Sequence, residues 1–94
     1  MKITTIIWQD IIIEKLESKH NVKQYEVKEI FDNLPKVRFI EKGVRESEDV
    51  YAAFGQTNSG RYLVIFFICK NIRNALILSG RDMTEKERKK YDKK

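Results

Sequence analysis

Apolar positions along the 94-residue chain follow two different periods, and the change from one to the other divides the sequence. Ile3, Ile6, Ile7 and Trp8 favour extended backbone and predict an opening strand over residues 3–8. Asp10 is a residue type that caps helix N-termini. Behind it, Ile12, Ile13 and Leu16 form a short apolar stripe at helical spacing, with Glu14, Lys15, Glu17 and Lys19 elsewhere on the surface. Asn21 tolerates the left-handed conformation and predicts the end of that helix. A second helix follows, in which Val27, Ile30, Phe31 and Leu34 recur at i, i+3, i+4 and i+7. Pro35 disfavours helical geometry in its predecessor and closes it.

Beyond Pro35 the period becomes two. Residues 36–41 read as a strand in which Val37 and Phe39 alternate with charged neighbours, and a polar loop over residues 43–48 follows. In residues 49–56, Val50, Ala52 and Phe54 share one strand face. Thr57-Asn58-Ser59-Gly60 is a hairpin signal. Residues 62–69 are apolar on both faces, which predicts a strand at the centre of the sheet. Lys70-Asn71 marks a tight turn, residues 75–79 the last strand, and Thr84-Glu85-Lys86-Glu87 opens a final helix with a capping box. The expected order is β-α-α-β-β-β-β-α. This is an α+β domain over residues 1–94, with a mainly antiparallel sheet, two N-terminal helices and a short C-terminal helix.

Nineteen Lys and Arg against fourteen Asp and Glu give a net charge of +5. The excess is concentrated: residues 81–94 hold seven basic and four acidic side chains. A basic segment of this kind attracts polyanions, RNA first among them, or an acidic protein. It is equally consistent with a solvated helix. The longest apolar run, residues 62–69, is too short to cross a bilayer, so no membrane association is expected. The first eight residues lack the apolar stretch and cleavage site of a signal peptide, and the expected location is the cytoplasm. One cysteine and one histidine supply neither an internal disulfide nor a zinc ligand set. No glycine-rich loop precedes a helix, so no nucleotide cradle and no cofactor are expected. Cys69, in mid-strand, reads as a packing residue.

What remains is a cluster at the C-terminal end. Arg81 is expected to leave the last strand just before the capping box, and Glu87 and Tyr91 share a helix face that Arg88 flanks. Cleaving RNA without a metal requires a base for the 2′-OH, cations for the charged phosphorane and an acid for the leaving 5′-oxygen. Arginine suits the second task, because its planar fork pairs with two phosphate oxygens. Each residue also has a structural reading. Glu87 completes the capping box, Tyr91 packs its ring on the sheet, and His20 bonds a backbone carbonyl at the corner between the first two helices. Lys89, Lys90, Lys93 and Lys94 form a solvated tail that adds nonspecific phosphate affinity. Tyr51, Tyr62 and Phe66 are candidates for a sheet face that two short helices leave uncovered.

The order of these features resembles the BrnT family, ribonuclease toxins of type II toxin–antitoxin systems. Ile7-Trp8-Gln9-Asp10 is similar to the family's opening segment. Lys19-His20-Asn21-Val22, followed by Glu29-Ile30-Phe31-Asp32, is similar to its helix corner. Gly60-Arg61-Tyr62-Leu63-Val64 resembles one of its strands. Ser79-Gly80-Arg81-Asp82-Met83-Thr84 with Glu87-Arg88-Lys89-Lys90-Tyr91 resembles its ending. The resemblance implies a RelE-like fold and metal-independent RNA cleavage that inhibits translation. It also implies a BrnA-type antitoxin, through which alone the protein would meet DNA. By position it assigns the reaction to Lys19, His20, Arg81, Glu87, Arg88 and Tyr91. Family arginines on the last strand are replaced here by Asn74 and Leu76, leaving Arg73 nearest, so Arg73, Lys70, Lys89 and Lys90 are the candidate RNA-binding residues. Lys23 replaces a capping serine, a change that weakens the second helix by ~1 kcal/mol. The alternative to a nuclease is a noncatalytic RNA-binding or protein-pairing module on the same scaffold.

Overall fold

The structure is a computed structural model that describes residues 1–45 and 48–93. The end of the 43–48 loop and Lys94 therefore fall partly or wholly outside the described residues. The chain runs β1 (Thr5–Ile7), α1 (Asp10–His20), α2 (Gln24–Asp32), β2 (Lys36–Glu41), β3 (Val50–Gln56), β4 (Tyr62–Lys70), β5 (Asn74–Asp82) and α3 (Glu85–Asp92). The strands form one sheet in the order β1-β5-β4-β3-β2. β4, the strand that is apolar on both faces, is central as its sequence predicts. All neighbours are antiparallel except β1, which pairs in parallel with β5. The fold is α+β with three helices on a mixed five-stranded sheet.

The two faces of the sheet differ. Leu63, Ile65 and Phe67 of β4, with Ala53, Ala75 and Ile77 beside them, pack against Leu16, Val22, Val27 and Ile30 of the helical layer. Tyr51 lies on this face too, its ring stacked 5.9 Å from that of Phe67. Gly80 is required here, because a Cβ would come within 2.9 Å of Ile65 Cδ1 and 3.3 Å of Leu16 Cδ2. The opposite face carries Val64 and Phe66 of β4, Ala52 and Phe54 of β3, and Lys36 and Arg38 of β2. α3 covers one end of it. Of the three aromatics expected on an uncovered face, Tyr62 and Phe66 are there and Tyr51 is not.

Several boundaries differ from the sequence pattern, while the end of α1 at Asn21 agrees with it. Gln9, not Asp10, is the N-cap of α1; it makes no side-chain bond, and Asp10 sits in the first turn where its charge favours the helix dipole. α1 closes on Asn21 at φ 51°, with Val22 N–H donating to Leu16 C=O, as a left-handed cap requires. α2 ends at Asp32, and Leu34 stands 87% exposed at φ 56° instead of filling the fourth apolar position. Pro35 excludes right-handed helix at Leu34, which swings the side chain away from the core. β5 continues to Asp82 because Leu63 and Val64 of β4 still offer ladder partners to Asp82 and Arg81, across a register shift near Phe66. Arg81 is thus a strand residue, not one beyond the strand end. At α2, the Glu26 carboxylate accepts the Lys23 N–H at 3.0 Å, which restores half of a capping box that lysine itself does not complete.

Arg61 joins the layers. Its guanidinium donates to Asp82 at 2.8 and 3.1 Å, to Glu26 at 3.2 and 3.3 Å, and to the backbone carbonyls of Asn21 and His20 at 2.7 and 2.9 Å. The Glu26 side chain is only 9% exposed, so removing the guanidinium leaves a nearly buried charge without its partner. Arg61→Met is expected to lower unfolding free energy in urea by about 3 kcal/mol. Lys28→Ala, which breaks an exposed pair with Asp32, should cost under about 0.5 kcal/mol. Equal urea midpoints for the two variants would contradict the role given to Arg61.

Candidate nucleic-acid interface

Arg81 projects from β5 onto the open face, where its guanidinium lies 5.5 Å from the centre of the Phe66 ring. The Glu87 carboxylate holds it in a two-point ion pair of 2.7 and 3.0 Å. The same carboxylate accepts the Thr84 N–H at 2.8 Å while the Thr84 hydroxyl accepts the Glu87 N–H at 3.1 Å, the predicted capping box. The Arg81 hydrogen bonds, above all, draw Glu87 down to about 2; burial opposes them and the Thr84 amide assists. Glu87 therefore stays ionised at neutral pH and is a weak base. The Arg81 side chain remains 36% exposed on its solvent side.

The rest of α3 packs through Tyr62. The Arg88 guanidinium sits 4.0 Å over the Tyr62 ring, a cation–π contact. Tyr91 meets the same ring edge-on, with centroids 5.8 Å apart, and the Tyr62 hydroxyl donates to Asp92 at 3.1 Å. Lys36 Nζ donates to the Tyr91 carbonyl and lies 4.9 Å from the Tyr91 ring centre. Burial, with Tyr62 and Asp92 acting in the same direction, raises the Tyr91 phenol above its ordinary value, so it is a protonated group at neutral pH. Between α3 and β2 runs a groove of about 400 Å³ lined by Lys36, Arg38, Phe54, Glu87, Lys90 and Tyr91. Among the described residues, Arg38, Arg88 and Lys90 have no ion-pair partner.

The predicted residues thus divide by place. Arg81, Glu87, Arg88 and Tyr91 come together, and Lys90 joins them at the groove. Lys19 and His20 line a separate cavity of about 250 Å³ with Lys15, Leu78 and Ser79. His20 adds a small pull to the lowering of the Asp82 carboxyl, which Arg61 dominates. Lys89 faces Glu85 at 3.6 Å on the outer side of α3. Lys70 pairs with Glu48 at 3.2 Å, and Arg73 is exposed at the β4–β5 turn, roughly 25 Å along β5 from Arg81. Cys69 packs against the core, where burial pushes its thiol up. Sequence reasoning missed Lys36, Arg38 and Phe54. The two cations stand two residues apart on a strand, and that spacing alone places them on one face.

A family model described as ribonuclease toxin, BrnT, of type II toxin–antitoxin systems matches residues 8–87. The chain belongs to the BrnT family. The fold agrees with the membership: the 1.1 Å crystal structure of the Brucella abortus ribonuclease toxin BrnT superposes with a TM-score of 0.62 at 18% identity, covering 87% of this chain and 100% of that one. Comparison with curated protein sequences returns no match. For this family member the matched span takes in Trp8, the His20 corner, Arg81 and Glu87, and stops one residue short of Arg88.

The Arg81–Glu87 pair generates a pH dependence. A carboxyl lowered from an ordinary 4.5 to about 2 contributes stability that is fully present above pH 4.5 and is lost as pH falls through 2. Because the pair is part-solvated, the contribution is about 1 kcal/mol, below what the shift alone would give. Glu87→Gln should be less stable than wild type by that amount at pH 7. The difference should shrink between pH 4.5 and 2 when both are unfolded in urea. A difference independent of pH would mean that Glu87 acts only as a neutral cap.

Proposed function

We propose that this protein is a metal-independent endoribonuclease and the toxin of a type II pair, cutting RNA by attack of its own 2′-OH on the adjacent phosphorus. The observation that carries the reading is that Arg81 and Arg88 each lie against an aromatic ring of the same β4 face, Phe66 and Tyr62. Two guanidiniums there would meet the phosphorane's charge while the rings exclude water. Tyr91, protonated and beside Arg88, is the candidate acid for the leaving 5′-oxygen. Glu87 is too acidic to accept the 2′-OH proton while paired, and it orients Arg81 instead. Lys19 and His20, in the separate cavity beside Ser79 where β5 has passed its last β1 partner, are the candidate base and cation for RNA that wraps around that edge of the sheet. Arg73 and Lys70 would hold RNA backbone outside the reacting region, with Lys89 and Lys90 adding affinity. Loss of translation follows from RNA cleavage in the cytoplasm. A RelE-like fold, a BrnA-type antitoxin and contact with DNA through that antitoxin alone belong to the same reading.

A second reading, a noncatalytic RNA-binding module, draws on two features. Arg81 is already neutralised by Glu87, and Asn74 and Leu76 stand where the family resemblance led us to expect arginines. RNA cleavage separates the two. The purified protein is expected to cut RNA in EDTA. Arg81→Ala and Arg88→Ala should each lower the rate about 100-fold, or about 3 kcal/mol of transition-state stabilisation, with unchanged circular dichroism. Activity that requires added magnesium, or wild-type rates in both folded variants, would sink the nuclease mechanism.

The antitoxin has to silence a cationic face on which Tyr62 and Phe66 are half-buried. An acidic, partly disordered segment that orders across the Arg81–Tyr91 region meets both demands. Calorimetric titration of the antitoxin at rising salt should show affinity falling steadily, with RNA excluded from the complex. Salt-independent affinity, or a complex that still binds RNA, would contradict this mode of inhibition.

A further inference from the structure

We infer that the groove between β2 and α3 is a subsite for one nucleotide of the RNA strand, next to the bond that is cut; the inference rests on the nuclease reading for its location but not for its chemistry. Phe54 and Tyr91 give the groove aromatic surface, and at about 400 Å³ it has room for a nucleobase with its sugar. Lys36, Arg38 and Lys90 surround it with positive charge. Glu87 is the one acidic residue in the lining, and Arg81 already neutralises it. An aromatic body with an anionic tail is the ligand that such a lining fits, and a nucleoside monophosphate unit has that composition. Arg38 is the residue best equipped to read the base, because its five donors have no ion-pair partner among the described residues and it lies at the groove wall. The polar alternative, a free inorganic anion, leaves the Phe54 surface unused.

The position also fits. Glu87 and Tyr91 line the groove on one side, and the same α3 residues contact Arg81 and the Tyr62–Arg88 stack on the other. A nucleotide in the groove would therefore leave its neighbouring phosphate within the reach of Arg81 and Arg88. The fit of the groove to a base makes it a place where sequence preference arises, separate from the cations that hold any phosphate.

The test uses a fluorescent 2′-deoxy oligonucleotide, which this chemistry cannot cut, with inorganic phosphate as the control ligand, and wild type, Phe54→Leu and Arg38→Gln as proteins. Phe54→Leu keeps apolar volume and removes the ring. It is expected to weaken oligonucleotide binding about tenfold while leaving phosphate binding unchanged. Arg38→Gln, on an exposed edge strand, keeps the test open should the Phe54 variant fail to fold. It should broaden the base preference flanking the cleavage sites, or the preference among oligonucleotides if no cutting occurs. Unchanged oligonucleotide affinity in Phe54→Leu, or unchanged base preference in Arg38→Gln, would overturn the subsite. Phosphate that displaces the oligonucleotide equally well from wild type and Phe54→Leu would do the same. Failure of the parent reading looks different: a protein that binds the oligonucleotide through Phe54 yet leaves RNA intact keeps the subsite and loses the nuclease.

Discussion

Three segments far apart in sequence, the α1–α2 region, the start of β4 and the end of β5, meet at the Arg61 guanidinium, and the geometry of the candidate interface follows from how it holds them. Its two carboxylate partners lie on α2 and β5, and its two carbonyl partners form the corner between α1 and α2. Asp82, one of those carboxylates, is the last residue of β5 and is separated from the α3 cap at Thr84 only by Met83. Fixing Asp82 therefore fixes where β5 ends, which way Arg81 points and where α3 begins. Arg61 is itself anchored at the hairpin by its N–H donating to the Thr57 hydroxyl at 3.0 Å. Removing Arg61 would be costly because Glu26 is almost out of water and would be left unpaired, and the backbone carbonyls accept the donors that the carboxylates leave over.

The sheet works as a partition. Its helix-covered face supplies the apolar burial, with Phe67, Ile65 and Leu63 at the centre. The other face also buries Ala52 and Val64, but it keeps charged residues next to aromatic ones. Rings beneath guanidiniums favour the cation without cancelling its charge, so Arg88 over Tyr62 stays available to an anion. Arg81 is different, since its charge is matched in advance by Glu87. The two arginines of the same C-terminal segment thus stand in different states, one open and one shared.

Most of the fold was legible in the sequence because local chemistry and global packing agree. The two-faced apolar run marked β4 as central, and the Thr84–Glu87 spacing gave the start of α3. The misreadings have one origin, the influence of partners distant in sequence. Leu34 fits the helical period, but the backbone constraint of Pro35 overrides it. β5 was read too short because its last residues are held by β4 and by Arg61, neither of which its own pattern reveals. The Arg81, Glu87, Arg88 and Tyr91 cluster could be read because it is local. Lys36, Arg38 and Phe54 could not, because only the register of β2 and β3 against each other and the docking of α3 bring them to that cluster. The separation of His20 and Lys19 from it is likewise a matter of how α1 sits against β5.

β2 lies at the rim of the sheet, where one row of backbone amides and carbonyls has no strand to bond. Phe39 and Ile40 are exposed on it at 57% and 46%, a combination that invites another chain to add itself to the sheet. Lys36 and Arg38 interrupt that invitation with like charges two residues apart at the start of the strand. Two such rims brought side by side would set lysine and arginine against their own copies in a setting with less water to screen them. The cations that line the groove thus also guard the rim, and a chain that stripped them away would lose its protection against self-association at the same stroke.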